Sequence, residues 1–246
     1  MNNIRTAVVL VAGTGSRLRP LTNNAPKALV PLGIETILAR LLRQLEACGI
    51  VHVVFATGFC ESALRAAVSS SRVAFDFCFN EAYGTTQNAS SLGCCADALA
   101  GESFVKLDGD LVLDQRIIER VIADASPVSV AVDRTRKLDS EAMKVQLGAD
   151  SSIVDFGKGL PAGSADAESA GIESLDAHSA GKVFGRIKEL VRSNVVDRYY
   201  EDVYAELIRE SQIVAHAVEV SPLIWTEVDD FEDLHCARQL IQAERL

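Results

Sequence analysis

Residues 7–12 read Ala7-Val8-Val9-Leu10-Val11-Ala12, an unbroken apolar run, and Gly13 and Gly15 follow at once. The run is too short to span a membrane and suits a strand buried on both faces. A strand of that kind needs helices above and below it, which predicts an α/β fold with a mostly parallel sheet. The loop that follows contains Val11, Ala12, Gly13, Thr14, Gly15 and Ser16. Without a Cβ at the glycines, backbone N–H groups can approach an anion closely. Arg17 and Lys27 add positive charge, and Pro20 and Pro26 break the segment into an ordered loop. Strand, glycine loop and two cations together read as a triphosphate cradle.

The net charge of −10 makes the chain a poor general binder of nucleic acid or anionic membrane. A phosphate ligand must therefore meet a local cationic patch. The start, Met1-Asn2-Asn3-Ile4-Arg5, runs towards the first strand without a leader pattern, so a cytoplasmic protein is expected. The six cysteines form no Cys-x-x-Cys pair, and buried thiols are expected in place of a zinc site.

Along the chain, helices are expected over 35–48 and 61–68, and strands over 51–56 and 73–79. Ligands then bind at the carboxyl ends of the strands. Residues 80–92 are rich in amides and hydroxyls and lead into an Ala-rich helix. Asn88 or Ser90 is a candidate cap for that helix, and with Gln87 the segment is also a candidate reader of a nucleobase edge and ribose; the two roles are compatible. Asp108-Gly109-Asp110 ends a strand over 103–107; it is either an Asp-Gly turn or an oxygen-ligand pair for Mg²⁺. Arg134, Arg136 and Lys137 form a basic cluster, which is either solvated surface or a face for an anionic second substrate. A hairpin follows, from Val145 and Leu147 to residues 153–156, and a polar loop covers 158–169. A short strand is expected over 169–175 and a weak helix over 180–192. Tyr199 and Tyr200 either wall a pocket or staple the entrance of the next helix. After a strand over 213–220, the segment Trp225-Thr226-Glu227-Val228-Asp229-Asp230 ends in two acids before a last helix over 231–244. Either acid could serve as that helix's cap. No repeat or linker interrupts the chain, so residues 1–246 are read as one domain with an acceptor-side embellishment around 134–205.

The series Ala12-Gly13-x-Gly15-x-Arg17-Leu18-x-Pro20-Leu21-Thr22, with Pro26-Lys27 beyond it, is neither the dinucleotide fingerprint nor the Walker pattern. It resembles the signature loop of the nucleotidyltransferases that join a nucleoside triphosphate to a sugar phosphate or small alcohol phosphate. Gly109-Asp110, Met143-Lys144-Val145 and the Trp225–Asp230 ending fall in that family's order. The resemblance implies a Rossmann-like mixed sheet of the nucleotide-diphospho-sugar transferase type. It makes Asp110 and Asp229 ligands of Mg²⁺, with Asp108 a neighbour beside the nucleotide. Lys27 is expected at the α-phosphate, Arg17 at the departing pyrophosphate, and Lys144 at the acceptor's phosphoryl group.

The compact length and the Glu-x-Met-Lys-Val and Trp-x-Glu-Val-Asp patterns look most like the phosphocholine and phosphonate cytidylyltransferase branch. The expected reaction is transfer of CMP from CTP to a small phosphonate or phosphomonoester. Arg134, Arg136, Lys144 and Tyr200 are expected on the acceptor. The basic cluster favours an anionic or zwitterionic phosphonate over phosphocholine, whose quaternary ammonium prefers an aromatic cage. Two rival readings are a sugar-1-phosphate transferase using UTP or dTTP and a non-catalytic nucleotide-binding regulatory module. The presence of both acids argues against the second. Neither nucleic acid nor membrane is an expected partner, and a homodimer is left open.

Overall fold

A computed structural model describes residues 4–69 and 73–243. Thr6–Leu10 forms β1, and its side chains alternate between two cores. Ala7 and Val9 enter one, Val8 enters the other, and all three are fully buried. This is the two-sided burial that the apolar run predicts. Two short 3₁₀ turns, Ser16–Leu18 and Lys27–Leu29, shape the loop after β1. Helix α1 (Ile37–Ala47) begins at Thr36, whose hydroxyl accepts from the Ala39 N–H, and buries Leu38, Leu41 and Leu45.

Strand β2 (His52–Thr57), helix α2 (Glu61–Val68) and strand β3 (Ala74–Phe79) continue the alternation. Helix α3 covers only Asn88–Gly93, and turns follow it, so the longer Ala-rich helix does not form. Then come β4 (Phe104–Asp108), β5 (Leu111–Leu113), α4 (Gln115–Ala123) and β6 (Val128–Asp133). The hairpin is β7 (Lys144–Leu147) and β8 (Ile153–Gly157). The expected short strand is instead the nine-residue β9 (Ala167–Leu175). The chain continues with α5 (Ala177–Arg192), α6 (Tyr200–Arg209), β10 (Ala215–Glu219), β11 (Trp225–Glu227) and α7 (Phe231–Gln242). Met1, Asn2 and Asn3, and Glu244, the expected end of the last helix, lie outside the described residues.

The main sheet runs β10-β6-β9-β4-β1-β2-β3. Its neighbours pair in parallel except at β9, which is antiparallel to both β4 and β6. β9 also carries the β7–β8 hairpin. The sheet is thus mixed and mostly parallel, with helices flanking it, as the resemblance implies. The length of β9 follows from its place between two other strands, where small residues such as Ala170 and Gly171 fit. Gly171 has φ +70°, and a Cβ there would stand 2.8 Å from Asp108 Oδ2.

A separate two-stranded ladder, β5 with β11, does the work of assembling the site. Leu111 pairs with Glu227, and the Val228 N–H donates to the Asp110 carbonyl at 3.0 Å. That ladder brings the residues just before β5 against those just after β11. A third apolar cluster, including Leu18, Val112, Val228 and Leu234, locks the glycine loop, the ladder and α7 together.

Candidate active site

The carboxyl ends of β1 and β4 open into a cleft with two lobes that share Leu10, Gly13 and Asp110. The smaller, about 280 Å³, is walled by the glycine loop, Lys27, Asp110 and Asp229. Gly15 holds the left-handed conformation at φ +58°, and its carbonyl accepts from the Thr22 hydroxyl at 2.8 Å. A Cβ at Gly15 would press on Lys27 Cβ at 3.0 Å, so the glycine also lets the lysine pack under the loop.

Lys27, Asp110, Asp229 and Arg17 converge. The Lys27 ammonium lies 2.6 Å from Asp229 Oδ1 and pairs with Asp110 Oδ2. Arg17 reaches the other Asp229 oxygen at 2.8 Å. Burial acts to lower the Lys27 pKa, but Asp110 and Asp229 outweigh it and raise the pKa, so the ammonium stays charged. Burial likewise acts against Asp229, and Lys27 with Arg17 still holds its carboxyl below the usual range. The two acids after β11 divide the work. Asp230 accepts from the Glu232 and Asp233 N–H groups and caps α7, which leaves Asp229 to face the lysine.

The donor set fits Mg²⁺. Asp110 Oδ1 is buried without a hydrogen-bond partner, and Asp229 lies across the same lysine. No group of three His, Cys, Asp or Glu converges as a metal site among the described residues. Two carboxylates suffice for Mg²⁺, which commonly completes its shell with water and substrate phosphate oxygens.

The larger lobe, about 330 Å³, is lined by residues of several elements, among them Ala12, Tyr83, Gln87, Asn88, Glu168 and Glu201. Asn88 also ties two helices together, since its Oδ1 accepts from the Tyr200 N–H at 2.9 Å. Beneath the floor lies Lys106, fully buried, 3.2 Å from Asp108 Oδ1, 2.9 Å from Glu173 Oε2 and over the Tyr200 ring. One ammonium there serves Asp108, Glu173 and Glu201. Burial pushes Glu173 up to about 7 and Glu201 up to about 8, because three buried carboxyls cannot all ionise against one cation.

Several residues expected on the acceptor or the nucleotide have other partners in the fold. Arg134 pairs with Glu219 at 3.3 Å, at the edge strand β10. Arg136 stacks on Trp225, 4.2 Å from the ring centroid, and donates to that residue's carbonyl. Neither arginine lines the cleft. Lys144 is 3% exposed and spends its ammonium on the Asp139 and Ala142 carbonyls at 2.9 and 3.2 Å. Tyr200 is fully buried and donates to Asp108 Oδ2 at 3.1 Å; Tyr199 lines the cleft in its place. Ser90 neither caps α3 nor faces the cleft, but lines a groove beside α5 with Phe184 and Ile187. Asn88 is likewise no cap; Gln87 occupies that position, without a side-chain bond to the helix.

Sequence reading overlooked Glu168 and Glu201. A signal for Glu201 was present, since it shares helical spacing with Tyr204, Ala205 and Ile208 on the packed face of α6.

The sequence model of the MobA-like NTP transferase domain matches residues 7–226. The CMP-5'-(3-aminopropyl)phosphonate synthase of Streptomyces rubellomurinus is 28% identical across 91% of this chain. The match spans 37% of that relative's own length. The choline-phosphate cytidylyltransferase of Streptococcus pneumoniae is 24% identical, over 97% of this chain and 99% of the relative. Among solved structures, the inositol-1-phosphate CTP transferase of T. maritima superposes with a TM-score of 0.80. It is 20% identical and covers 97% of this chain and 95% of its own, a likeness of fold.

Proposed function

The chain belongs to the MobA-like NTP transferase family, and on that premise we propose that it transfers CMP from CTP to a small phosphonate or phosphomonoester. The observation that carries the reading is the convergence of Arg17, Lys27, Asp110 and Asp229 on one glycine-lined lobe. The names of the aminopropylphosphonate and choline-phosphate relatives favour CTP and a small acceptor.

In this reading an oxygen of the acceptor's phosphoryl group attacks the α-phosphorus of CTP. The new P–O bond forms as the bond to the β-phosphate breaks, and pyrophosphate leaves with that electron pair. The acceptor's phosphoryl group is largely ionised at neutral pH, so no general base is required. Mg²⁺, held by Asp110 and Asp229, would supply charge neutralisation at the reacting phosphates. Lys27 places a permanent positive charge where charge grows at the α-phosphate. Arg17 and the loop N–H groups hold the departing pyrophosphate. Gln87 and Asn88 offer amide groups to the base edge. Catalysis is then positioning and electrostatics, as in phosphoryl transfer generally.

The test is steady-state pyrophosphate release with CTP, UTP, dTTP, ATP and GTP against phosphonates, phosphocholine and glucose-1-phosphate. CTP with a small acceptor should give the highest kcat/KM. A higher value for glucose-1-phosphate with any triphosphate would reject the reading.

A further inference from the structure

Lys106 has no part in the reaction derived above, yet it is an ammonium with no exposed surface on a strand in the middle of the sheet. A buried ion pair of this kind is a weak source of stability, since apolar side chains of similar volume often serve a core as well. Side chains two positions apart share a strand face, so Lys106 and Asp108 lie together on β4. Lys106 donates to Asp108 Oδ1 at 3.2 Å, and the Tyr200 hydroxyl donates to Asp108 Oδ2 at 3.1 Å. Both oxygens of Asp108 are thereby held by residues that are themselves fully buried. Glu173 braces the two donors, 2.9 Å from the Lys106 ammonium and 3.5 Å from the Tyr200 hydroxyl.

Asp110 is the opposite case. It follows Asp108 across a tight turn, where a Cβ on Gly109 would strike Val11 Cγ1 and stand 2.7 Å from the Leu10 carbonyl oxygen. Asp110 pairs with Lys27, and its Oδ1 has no hydrogen-bond partner. Asp108 and Asp110 both line the larger lobe, so two like charges stand at one strand end. Mg²⁺ is usually held by one or two carboxylates and completes its shell with water and substrate phosphate. A further carboxylate, beside Asp110 and Asp229, would fill positions that the reacting phosphates need.

We infer that Lys106 and Tyr200 are positioning residues that keep Asp108 off the metal, so that the end of β4 presents Asp110 alone. The inference rests on the cytidylyl-transfer reading above. It divides the labour between the two acids of Asp108-Gly109-Asp110, one held down by the fold and one left open to the metal.

Two variants release Asp108 by different routes. Tyr200→Phe removes one hydroxyl and leaves the Tyr200 N–H on Asn88 in place. Lys106→Met removes the charge at similar length. Each is made alone and together with Asp108→Asn. Mn²⁺, which like Mg²⁺ suits carboxylate and water oxygens, is titrated by electron paramagnetic resonance without substrates. Turnover is read as pyrophosphate release with CTP, Mg²⁺ and the acceptor of highest kcat/KM.

Each single variant should bind Mn²⁺ about 3-fold or more tightly, because Asp108 joins the ligands. The same variants should lose kcat, by about 10-fold for Tyr200→Phe and about 10²-fold for Lys106→Met, the scale of a small misplacement of reacting groups. Adding Asp108→Asn should loosen Mn²⁺ again and restore part of the rate in both. Residues serving the fold alone would weaken metal binding and turnover together, and the second substitution would restore neither. Should Lys106→Met fail to fold, the Tyr200→Phe pair decides. Unchanged or weaker Mn²⁺ binding in Tyr200→Phe, or no recovery on adding Asp108→Asn, would overturn the inference and leave cytidylyl transfer standing. Absence of pyrophosphate release from the wild-type chain with every acceptor would instead reject the underlying reaction.

Discussion

Lys27 and Asp229, 202 positions apart in the chain, meet with the ammonium 2.6 Å from the carboxylate. The contact joins the first loop of the sheet to the last strand before α7. It exists because the β5–β11 ladder delivers Asp229 beside Asp110, and because Gly15 lets Lys27 lie flat under the loop. Arg17 closes the arrangement from the solvent side.

Lys27→Ala should therefore lower kcat by about 10²- to 10³-fold, the usual effect of removing a fixed charge from a developing anion. Steady-state kinetics at saturating CTP checks this. A variant changed only in KM would place the lysine in ground-state binding.

Asp110→Asn and Asp229→Asn should each reduce turnover by more than about 10²-fold, in line with loss of a group that orients reacting phosphates. Their far-ultraviolet circular dichroism should match wild type, because neither residue is a core side chain. Titrating Mg²⁺ against rate and against melting temperature separates metal binding from chemistry. Wild-type rates at limiting Mg²⁺ in either variant would remove that residue from the site.

The buried Glu173 gives a pH signature. Its folded pKa of about 7 lies above the ordinary value of 4.5. Between those values the folded chain holds a proton that the unfolded chain has released. Stability from this group is thus lost as pH rises through that window. Glu173→Gln, which cannot titrate, should make the slope of melting temperature between pH 5 and pH 8 less negative. The comparison needs thermal melts of both proteins in the same buffers, and identical slopes would contradict it.

Gly171→Ala should destabilise the chain by about 1–3 kcal/mol, since it forces a Cβ onto a left-handed residue. The methyl would also stand 2.8 Å from Asp108 Oδ2, displacing the carboxyl from Tyr200. Urea unfolding measures the loss, and Gly163→Ala, in an open exposed turn, is the control.

Arg134→Ala should leave the acceptor KM within about twofold, because an exposed pair such as Arg134–Glu219 contributes little and lies away from the cleft. Arg136→Ala should lower stability instead, through its lost stacking on Trp225 and its hydrogen bond to that residue's carbonyl. A large rise in acceptor KM for Arg134→Ala would return the basic cluster to the site.

The parts of this protein legible in its sequence are those governed by local rules. An apolar run ending in glycines announces a buried strand and a loop whose backbone is accessible, and both stand where residues 7–17 put them. Asp110 and Asp229 follow strand ends, so the positions open to them were few. Side-chain direction beyond such segments is set by packing from distant elements, which local rules do not reach. Lys144 turns inward because nearby carbonyls satisfy it, Arg136 because Trp225 lies beside it, and Tyr200 because α6 docks over Lys106. Glu168 and Glu201 line one lobe only because antiparallel β9 crosses the middle of the sheet and α6, which packs on β8, begins beside Asp108 and Glu173. Sequence thus determined the strand, the glycine loop and the charges available to the site. Tertiary structure decided which of those charges face the cleft, because the burial and pairing that orient a charged side chain come from residues far away in the chain.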